Sequence, residues 1–478
     1  MRKNKILSFL LVLTLLLVLV LNLAGCGGSS TPANTTATKA TTASTSSTGT
    51  ATEPATEPAT EPATEPATEA ATEPATEPAT EPASGESAAV DLTAGFVPRL
   101  GGDSTEPVSS EAATAAADFA VRLFQKTYDG KNTLISPLSI LTALAMATNG
   151  ANGETKEEME DALGMTVEEL NAFFASYFER LPQNENAKLS LADSIWFRDD
   201  GRFSVRDEFL QTNADYYHAG AYRAPFDRGT VDDINAWVKE KTDGMIERLI
   251  NGELSSDTMM ILLNALAFDA KWANPYVKEE QISYDSFKKE DGTNVAATYL
   301  CDNELRYLVD GENAVGFIKP YVGGRFAFAA LLPNAGLSVG EYVATLDGAK
   351  LVGLLGNPQH VVVETGIPKF ETRYETDLIK PLQNLGMSLA FTDFADFSGI
   401  SETTSLYISR ILHKTYIAVG EEGTRAAAVT AVMYDCSATF VEDPPPRVIL
   451  DRPFVYMLVD LETNVPLFIG VLNDPTAD

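Results

Sequence analysis

The sequence predicts an α+β fold in one large domain, preceded by a long non-globular leader. Three observations lead there. Helix-start and helix-stop signals crowd the first part of the domain, at Ser136-Pro137, Thr155/Glu158 and Thr230/Asp233. Runs rich in branched and aromatic residues dominate later, which separates helices from strands along the chain and argues against an alternating α/β order. No second linker interrupts the roughly 370 residues after Glu106, so a single domain over 106–478 is expected.

The leader divides in two. Arg2, Lys3 and Lys5 precede an apolar run from Ile6 to Leu21, which ends at Leu23-Ala24-Gly25-Cys26. A basic start, an apolar middle and small residues before a cleavage point mark a secretory signal. The run is also nearly long enough to persist as a membrane helix. Leu-Ala-Gly-Cys resembles the lipobox of bacterial lipoproteins. That resemblance implies removal of residues 1–25, lipidation of Cys26 and tethering at a bacterial cell envelope, with the domain outside the cell. Residues 26–105 then read as a stalk. Ser, Thr and Ala dominate to position 50, followed by eight Ala-Thr-Glu-Pro units from Ala51 to Pro82, with Ala70 replacing one proline. Such a composition buries too little apolar surface to offset ordering entropy. Its prolines favour an extended spacer of about 3 Å per residue, and its glutamates repel one another.

Within the domain, Ser136 looks like an N-cap and Pro137 the first helical residue. Ile140, Leu141, Leu144 and Ala147 form an apolar face, and Asn149-Gly150 closes the helix. Thr155 and Glu158 fit a capping box on a short helix that Gly164 stops. Thr230 and Asp233 open another, with Ile234, Trp237 and Val238 on one side. Strands are expected over Leu189–Phe197, Met259–Phe268, Phe326–Leu332, Val448–Val459 and Pro466–Val471.

Chemistry is sparse. A net charge of −32 argues against nucleic acid, which needs clustered cations. After Cys26 only Cys301 and Cys436 remain, too few for a disulfide framework, and both are expected as free thiols. His218, His360 and His413 show no paired spacing, and no phosphate-cradling glycine motif occurs, so neither a metal nor another cofactor is expected. Ser286-Phe287-Lys288-Lys289 matches Ser-x-x-Lys, but Glu290-Asp291-Gly292-Thr293 is a turn signal where that motif needs a helix. No Gly-x-Ser-x-Gly elbow is present, and His413 sits in an apolar-alternating run, as a hydrogen-bonded core histidine does. The chain does not read as an enzyme.

A series of blocks across the domain resembles the serpin family. Asn132-x-x-Ile135-Ser136-Pro137-Leu138-Ser139-Ile140 with Ala143-Leu144-Ala145-Met146 is similar to its opening helical signature. Ile234-Asn235-x-Trp237-Val238 with Lys241-Thr242 resembles the helix over its main sheet. Leu263-Asn264-Ala265-Leu266-x-Phe268 with Lys271-Trp272 resembles the central strand and the tryptophan at its top. Pro368-Lys369-Phe370, Leu385-Gly386-Met387, Ala395–Ile400, His413-Lys414, Asp451-Arg452-Pro453-Phe454 and Leu467-Phe468-Ile469-Gly470 follow in family order. The resemblance implies a large mixed sheet, two smaller sheets, eight or nine helices and an exposed reactive loop at about 421–447. It places Trp272 at the sheet top and His413, Ser136 and Ser139 at the shutter below.

The resemblance makes Gly420-Glu421-Glu422-Gly423-Thr424-Arg425-Ala426-Ala427-Ala428-Val429-Thr430-Ala431 the loop's hinge, a segment that slides into a sheet after cleavage. By strand period, Thr424, Ala426, Ala428 and Thr430 share one face, small or β-branched, while Arg425, Ala427 and Val429 share the other. Proline, which would remove a ladder hydrogen bond, is absent until Pro444. Counting fourteen residues from Gly423, as in most inhibitory members, sets the scissile bond at Ser437–Ala438. A hinge shorter by one gives Cys436–Ser437, and Tyr434 is a further alternative. Small residues there suit elastase-like serine proteases, whereas Tyr434 would suit chymotrypsin-like ones. The implied activity is that of a monomeric suicide substrate. Alternatives are a non-inhibitory binding module or chaperone of the same fold, or an adhesin-like protein whose stalk matters most.

Overall fold

A computed structural model describes residues 89–99, 106–182, 187–201, 203–217, 219–402, 405–424 and 444–477. The signal segment, Cys26, the repeats, His218 and residues 425–443 lie outside these, and with them Ala426, Ala427, Ala428, Tyr434, Cys436, Ser437 and Ala438.

Strands dominate three sheets, numbered here in chain order. The first has seven strands in the order β1 (Val90–Asp91), β4 (Gly220–Ala224), β3 (Ala187–Arg198), β5 (Met260–Lys271), β14 (Gly423–Thr424), β13 (Ile408–Val419) and β12 (Phe370–Asp377). The second runs β2 (Thr133–Ile135), β17 (Val465–Leu472), β16 (Phe454–Asp460), β10 (Phe326–Pro333), β9 (Ala314–Pro320), β8 (Tyr307–Asp310). The third runs β15 (Arg447–Ile449), β11 (Val363–Pro368), β7 (Asn294–Glu304), β6 (Ile282–Lys288). Nine α-helices occur among the described residues: α1 (Ser110–Thr127), α2 (Pro137–Thr148), α3 (Gly153–Leu163), α4 (Val167–Glu179), α5 (Asp207–Tyr217), α6 (Arg228–Lys241), α7 (Val339–Val343), α8 (Gly348–Gly356) and α9 (Ile379–Gln383).

The first sheet is covered on both faces, and strand alternation explains how. Ile195, Leu262 and Ile411 enter the main core, where α2 packs, while Trp196, Ile261, Leu263 and Leu412 turn to the opposite face. There Ile234 and Val238, one turn apart on α6, close a second core with Ile246, Leu249 and Ile250. Any strand entering this sheet therefore needs side chains that fit two packed layers.

Several local expectations are corrected. Pro137 does begin α2, but the Ser136 hydroxyl does not cap it and donates instead to the Leu467 carbonyl at 2.8 Å. Helix α3 starts at Gly153, so Thr155 and Glu158 fall inside it. Their side chains instead accept from the backbone of Asp396, and of Ser388 and Leu389, holding a distant loop. Helix α6 also starts earlier, with Asp227 accepting from the Thr230 amide. The run Val448–Val459 is two strands in different sheets, parted before Pro453, which cannot donate to a ladder. Ser286 lies on extended β6, so Ser286 and Lys289 do not share a helical turn.

The stalk boundary at 105 is also corrected. Val90 and Asp91 pair with Arg223 and Tyr222 at the edge of the first sheet, and the Leu92 amide donates to Ala221. Leu92 and Phe96 pack on the main core. Two apolar residues one short turn apart suffice for this, and the leader's overall composition hides them.

Candidate functional site

The site is a cleft in the first sheet. β5 and β13 run parallel and pair from Met260/Ile408 to Ala265/Lys414. Beyond that point, no ladder joins Leu266–Asp269 to Thr415–Ala418 among the described residues. At the far end β14 is wedged between them: Gly423 opposes Lys271, and Thr424 opposes both Ala270 and Val419.

Glycine at 423 is a steric requirement. A Cβ there would lie 2.1 Å from the Ala270 carbonyl oxygen. The turn leading in is held by donors from one short segment of β5 and its continuation. Trp272 donates its amide to Glu422 O at 2.9 Å and its indole N–H to Gly420 O at 2.8 Å, and the Tyr276 amide donates to Glu421 O at 2.9 Å. Lys369 pairs with Glu421 at 2.7 Å, and this hydrogen bond holds the carboxyl below its ordinary range. Thr424 is buried, with its hydroxyl bonded to Tyr321, whose ring stacks on Trp272 at 4.5 Å and 8°. Its side chain thus faces the main core.

Below the cleft, where the two strands still pair, a polar rung crosses three strands. His413, Asn264 and Asp193 are register partners on β13, β5 and β3. The Ser136 amide donates to His413 Nε2 at 3.0 Å, which leaves the ring proton on Nδ1, facing Asn264 Oδ1 at 2.9 Å. Asn264 Nδ2 donates to Asp193 Oδ1 at 3.0 Å, and Ser139 Oγ approaches the same oxygen at 3.3 Å. Burial lowers the His413 pKa to about 3, so the ring is neutral. Burial raises the Asp193 carboxyl well above its ordinary range, against the two hydrogen bonds it accepts. The rung is a lock: the sheet cannot open below Ala265 without breaking the His413–Asn264 bond.

The chain returns at Pro444–Pro446, and β15 adds in parallel to β11, with the Glu364 amide donating to Pro446. Nineteen residues, 425–443, thus span from the seated hinge to the third sheet. Among the described residues no group of three or more His, Cys, Asp or Glu side chains is placed to hold a metal ion.

Comparison with known proteins matches this arrangement to one family. The family profile described as "Serpin (serine protease inhibitor)" covers residues 114–475. The chain belongs to the serpin family. An uncharacterised serpin-like protein of Thermococcus kodakarensis is 30% identical over 354 residues, covering 73% of this chain and 82% of the relative. Plasminogen activator inhibitor 1 of Bos taurus is 29% identical over 391 residues, covering 78% and 95%. Among solved structures, the thermophilic serpin tengpin in its native state is 39% identical with a TM-score of 0.75, over 81% of this chain and 99% of that one. Human thyroxine-binding globulin, solved with thyroxine, is 26% identical with a TM-score of 0.68, over 77% and 99%.

The serpin fold, with its large mixed sheet and two smaller ones, is therefore as the sequence implied, and membership supports protease inhibition in general. Of the residues expected at the site, Glu421, Gly423, Thr424 and Trp272 meet at the top of the serpin sheet, whereas His413, Ser136 and Ser139 meet below it. Sequence reasoning gave no role to Asn264, Asp193 or Tyr321. Asn264 lies in the Leu263–Phe268 block that resembles the central serpin strand. Asp193 offered one signal, a lone charge inside an apolar strand run.

Proposed function

We propose that this serpin inhibits serine proteases as a suicide substrate, with elastase-like enzymes as its targets. The observation that carries the reading is the seated hinge: Gly423 and Thr424 already occupy the place of a central strand, above a cleft that nothing else fills among the described residues. The target's serine oxygen attacks a loop carbonyl. The peptide C–N bond breaks, the new amine leaves on the distal side, and an ester joins the protease to the hinge side. Insertion of the freed strand carries the protease away before water reaches the ester. The chain supplies bait and an openable sheet.

The ladder register supports the idea that the loop fits. Each residue beyond Thr424 moves one position back along both β5 and β13, so six steps bring Thr430 opposite Asn264 and His413 together. Alternation then turns Ala426, Ala428 and Thr430 to the core side already taken by Thr424, where small side chains enter without overpacking. Arg425 falls on the other face. Small residues at Ser437–Ala438, or Cys436–Ser437, favour the shallow primary pocket of elastase-like enzymes. The lipobox-like Cys26 and the repeat stalk would hold a monomeric inhibitor at the outside of a bacterial envelope.

The test is incubation of residues 27–478 with pancreatic elastase, trypsin, chymotrypsin and subtilisin. A denaturant-resistant complex with elastase, and cleavage mapped to one of the three candidate bonds, is expected. Cleavage by every enzyme with no complex would instead support a carrier, the reading favoured by the likeness to thyroxine-binding globulin.

A further inference from the structure

Directly behind the hinge seat lies a buried ion pair. Lys319 on β9 is 1% exposed, in a run where Phe317 and Ile318 are core residues. Its Nζ donates to Glu304 Oε1 at 2.7 Å, with Asp302 Oδ2 at 3.8 Å. The same ammonium lies 4.5 Å from the Tyr276 ring centroid and 5.5 Å from that of Trp272. These are the two residues whose N–H groups hold the carbonyls of Gly420, Glu421 and Glu422. Glu304 ends β7, which is joined through β11 to β15, the strand that anchors the loop's distal end. The pair therefore ties together the anchors at both ends of the loop.

An apolar side chain at 319 would fill the space with no desolvation penalty, and buried ion pairs are poor stabilisers compared with such replacements. What the pair offers is direction. A cation against two ring faces, fixed by a carboxylate on a neighbouring sheet, sets the rotation of both rings. It thereby aims the Trp272 indole N–H and, by pinning both side chains, restrains the backbone that carries the Trp272 and Tyr276 amides. Burial raises the Glu304 carboxyl above its ordinary range while Lys319 pulls it down, as for a group held at the site against its solvation preference.

We propose that Lys319, held by Glu304, is a positioning residue for loop insertion: it fixes Trp272 and Tyr276 so that the hinge is seated before cleavage. For its consequence in trapping, this rests on the inhibitory reading above. The seat itself is tested without a protease, by hydrogen exchange read at single amides in Lys319→Leu, Lys319→Arg and the double variant Lys319→Leu/Glu304→Leu. Exchange at the Trp272 and Tyr276 amides should accelerate on the order of ten-fold or more in Lys319→Leu, relative to amides in β16. Lys319→Arg should keep the protection. The double variant should regain the parent's urea midpoint without regaining protection at those two amides. Parent-like exchange in Lys319→Leu, or in the double variant, would overturn the proposal, since the pair would then only occupy volume. Loss of protection in Lys319→Arg equal to that in Lys319→Leu would also overturn it. In a second arm, subtilisin and elastase should give a higher ratio of cleaved to complexed chain in the double variant. A parent that forms no complex would defeat the inhibitory reading, while the exchange result would still decide the seat.

Discussion

Replacing Thr424 by arginine should turn the protein from a trap into a substrate, and the seat geometry says by how much. Besides the half-exposed Lys369–Glu421 pair, four hydrogen bonds outside the ladder hold the hinge, from Trp272 twice, Tyr276 once and the Thr424–Tyr321 hydroxyl pair. At about 1 kcal/mol net each they contribute roughly 4 kcal/mol. Thr424 is 1% exposed beneath a stacked Trp272–Tyr321 pair, so an arginine there places an unpartnered guanidinium in the core. That penalty is several kcal/mol and exceeds what the seat supplies, so the hinge is expelled. The inserted state needs position 424 in the same place. If only about 3 kcal/mol of the penalty enters the insertion barrier, insertion slows roughly 150-fold and hydrolysis of the ester overtakes it. The assay is titration of active elastase with parent and variant, followed by denaturing electrophoresis. The parent should give a stable complex near equimolar ratio, and the variant cleaved chain with full protease activity. A variant that titrates elastase as the parent does would refute the claim that the Thr424 face enters the core.

Other expectations follow from the same geometry. Gly423→Ala puts a methyl 2.1 Å from the Ala270 carbonyl oxygen, so the hinge should leave the sheet, seen as faster exchange at the Trp272 amide with an unchanged fold by circular dichroism. Acid acts on the rung with opposing signs. His413 is neutral when folded and takes up its proton on unfolding below about pH 6.5, so acidification there destabilises; Asp193 holds its proton when folded to well above the pH at which the unfolded carboxyl does, so acidification stabilises. Asp193→Asn removes the second effect, so its urea stability should fall more steeply than the parent's as the pH is lowered toward the ordinary carboxylate range. Parallel pH profiles would contradict this. Deleting residues 1–99 instead of 1–88 exposes the surface under Leu92 and Phe96 and should lower stability by about 2 kcal/mol in the same assay.

Much of this was legible in the sequence because it depends on period. Alternation sorted Thr424 from Arg425, and Thr424 does face the core. His413 read as a bonded core histidine from the apolar run around it, and it is one. What escaped was set by pairing across long separations. The hydroxyl of Ser136 goes to Leu467, and the side chain of Thr155 to Asp396, because tertiary partners outcompete the local cap each could have made. The rung as a unit escaped for the same reason: His413 was legible on its own and Asp193 stood out only as a lone charge in an apolar run, but their connection through Asn264 exists only in the strand register.

The chemistry of that rung bears on how one sheet can be both closed and openable. At the centre of a buried sheet, branched apolar residues would be ordinary, and a rung of them would pack equally well shut. Parting such a rung to admit a strand would reward only an apolar guest, with no preference for one register over the next. A polar rung behaves differently. While shut, its donors and acceptors satisfy one another from Ser136 to Asp193, so it resists opening with the full cost of unpaired buried groups. On the proposed insertion, the residue brought between His413 Nδ1 and Asn264 Oδ1 is Thr430. A hydroxyl can accept from the first and donate to the second. The same atoms that bar an empty opening would then be re-satisfied by the right strand in the right register. This links the polarity of the lock to the threonine six residues beyond the seat.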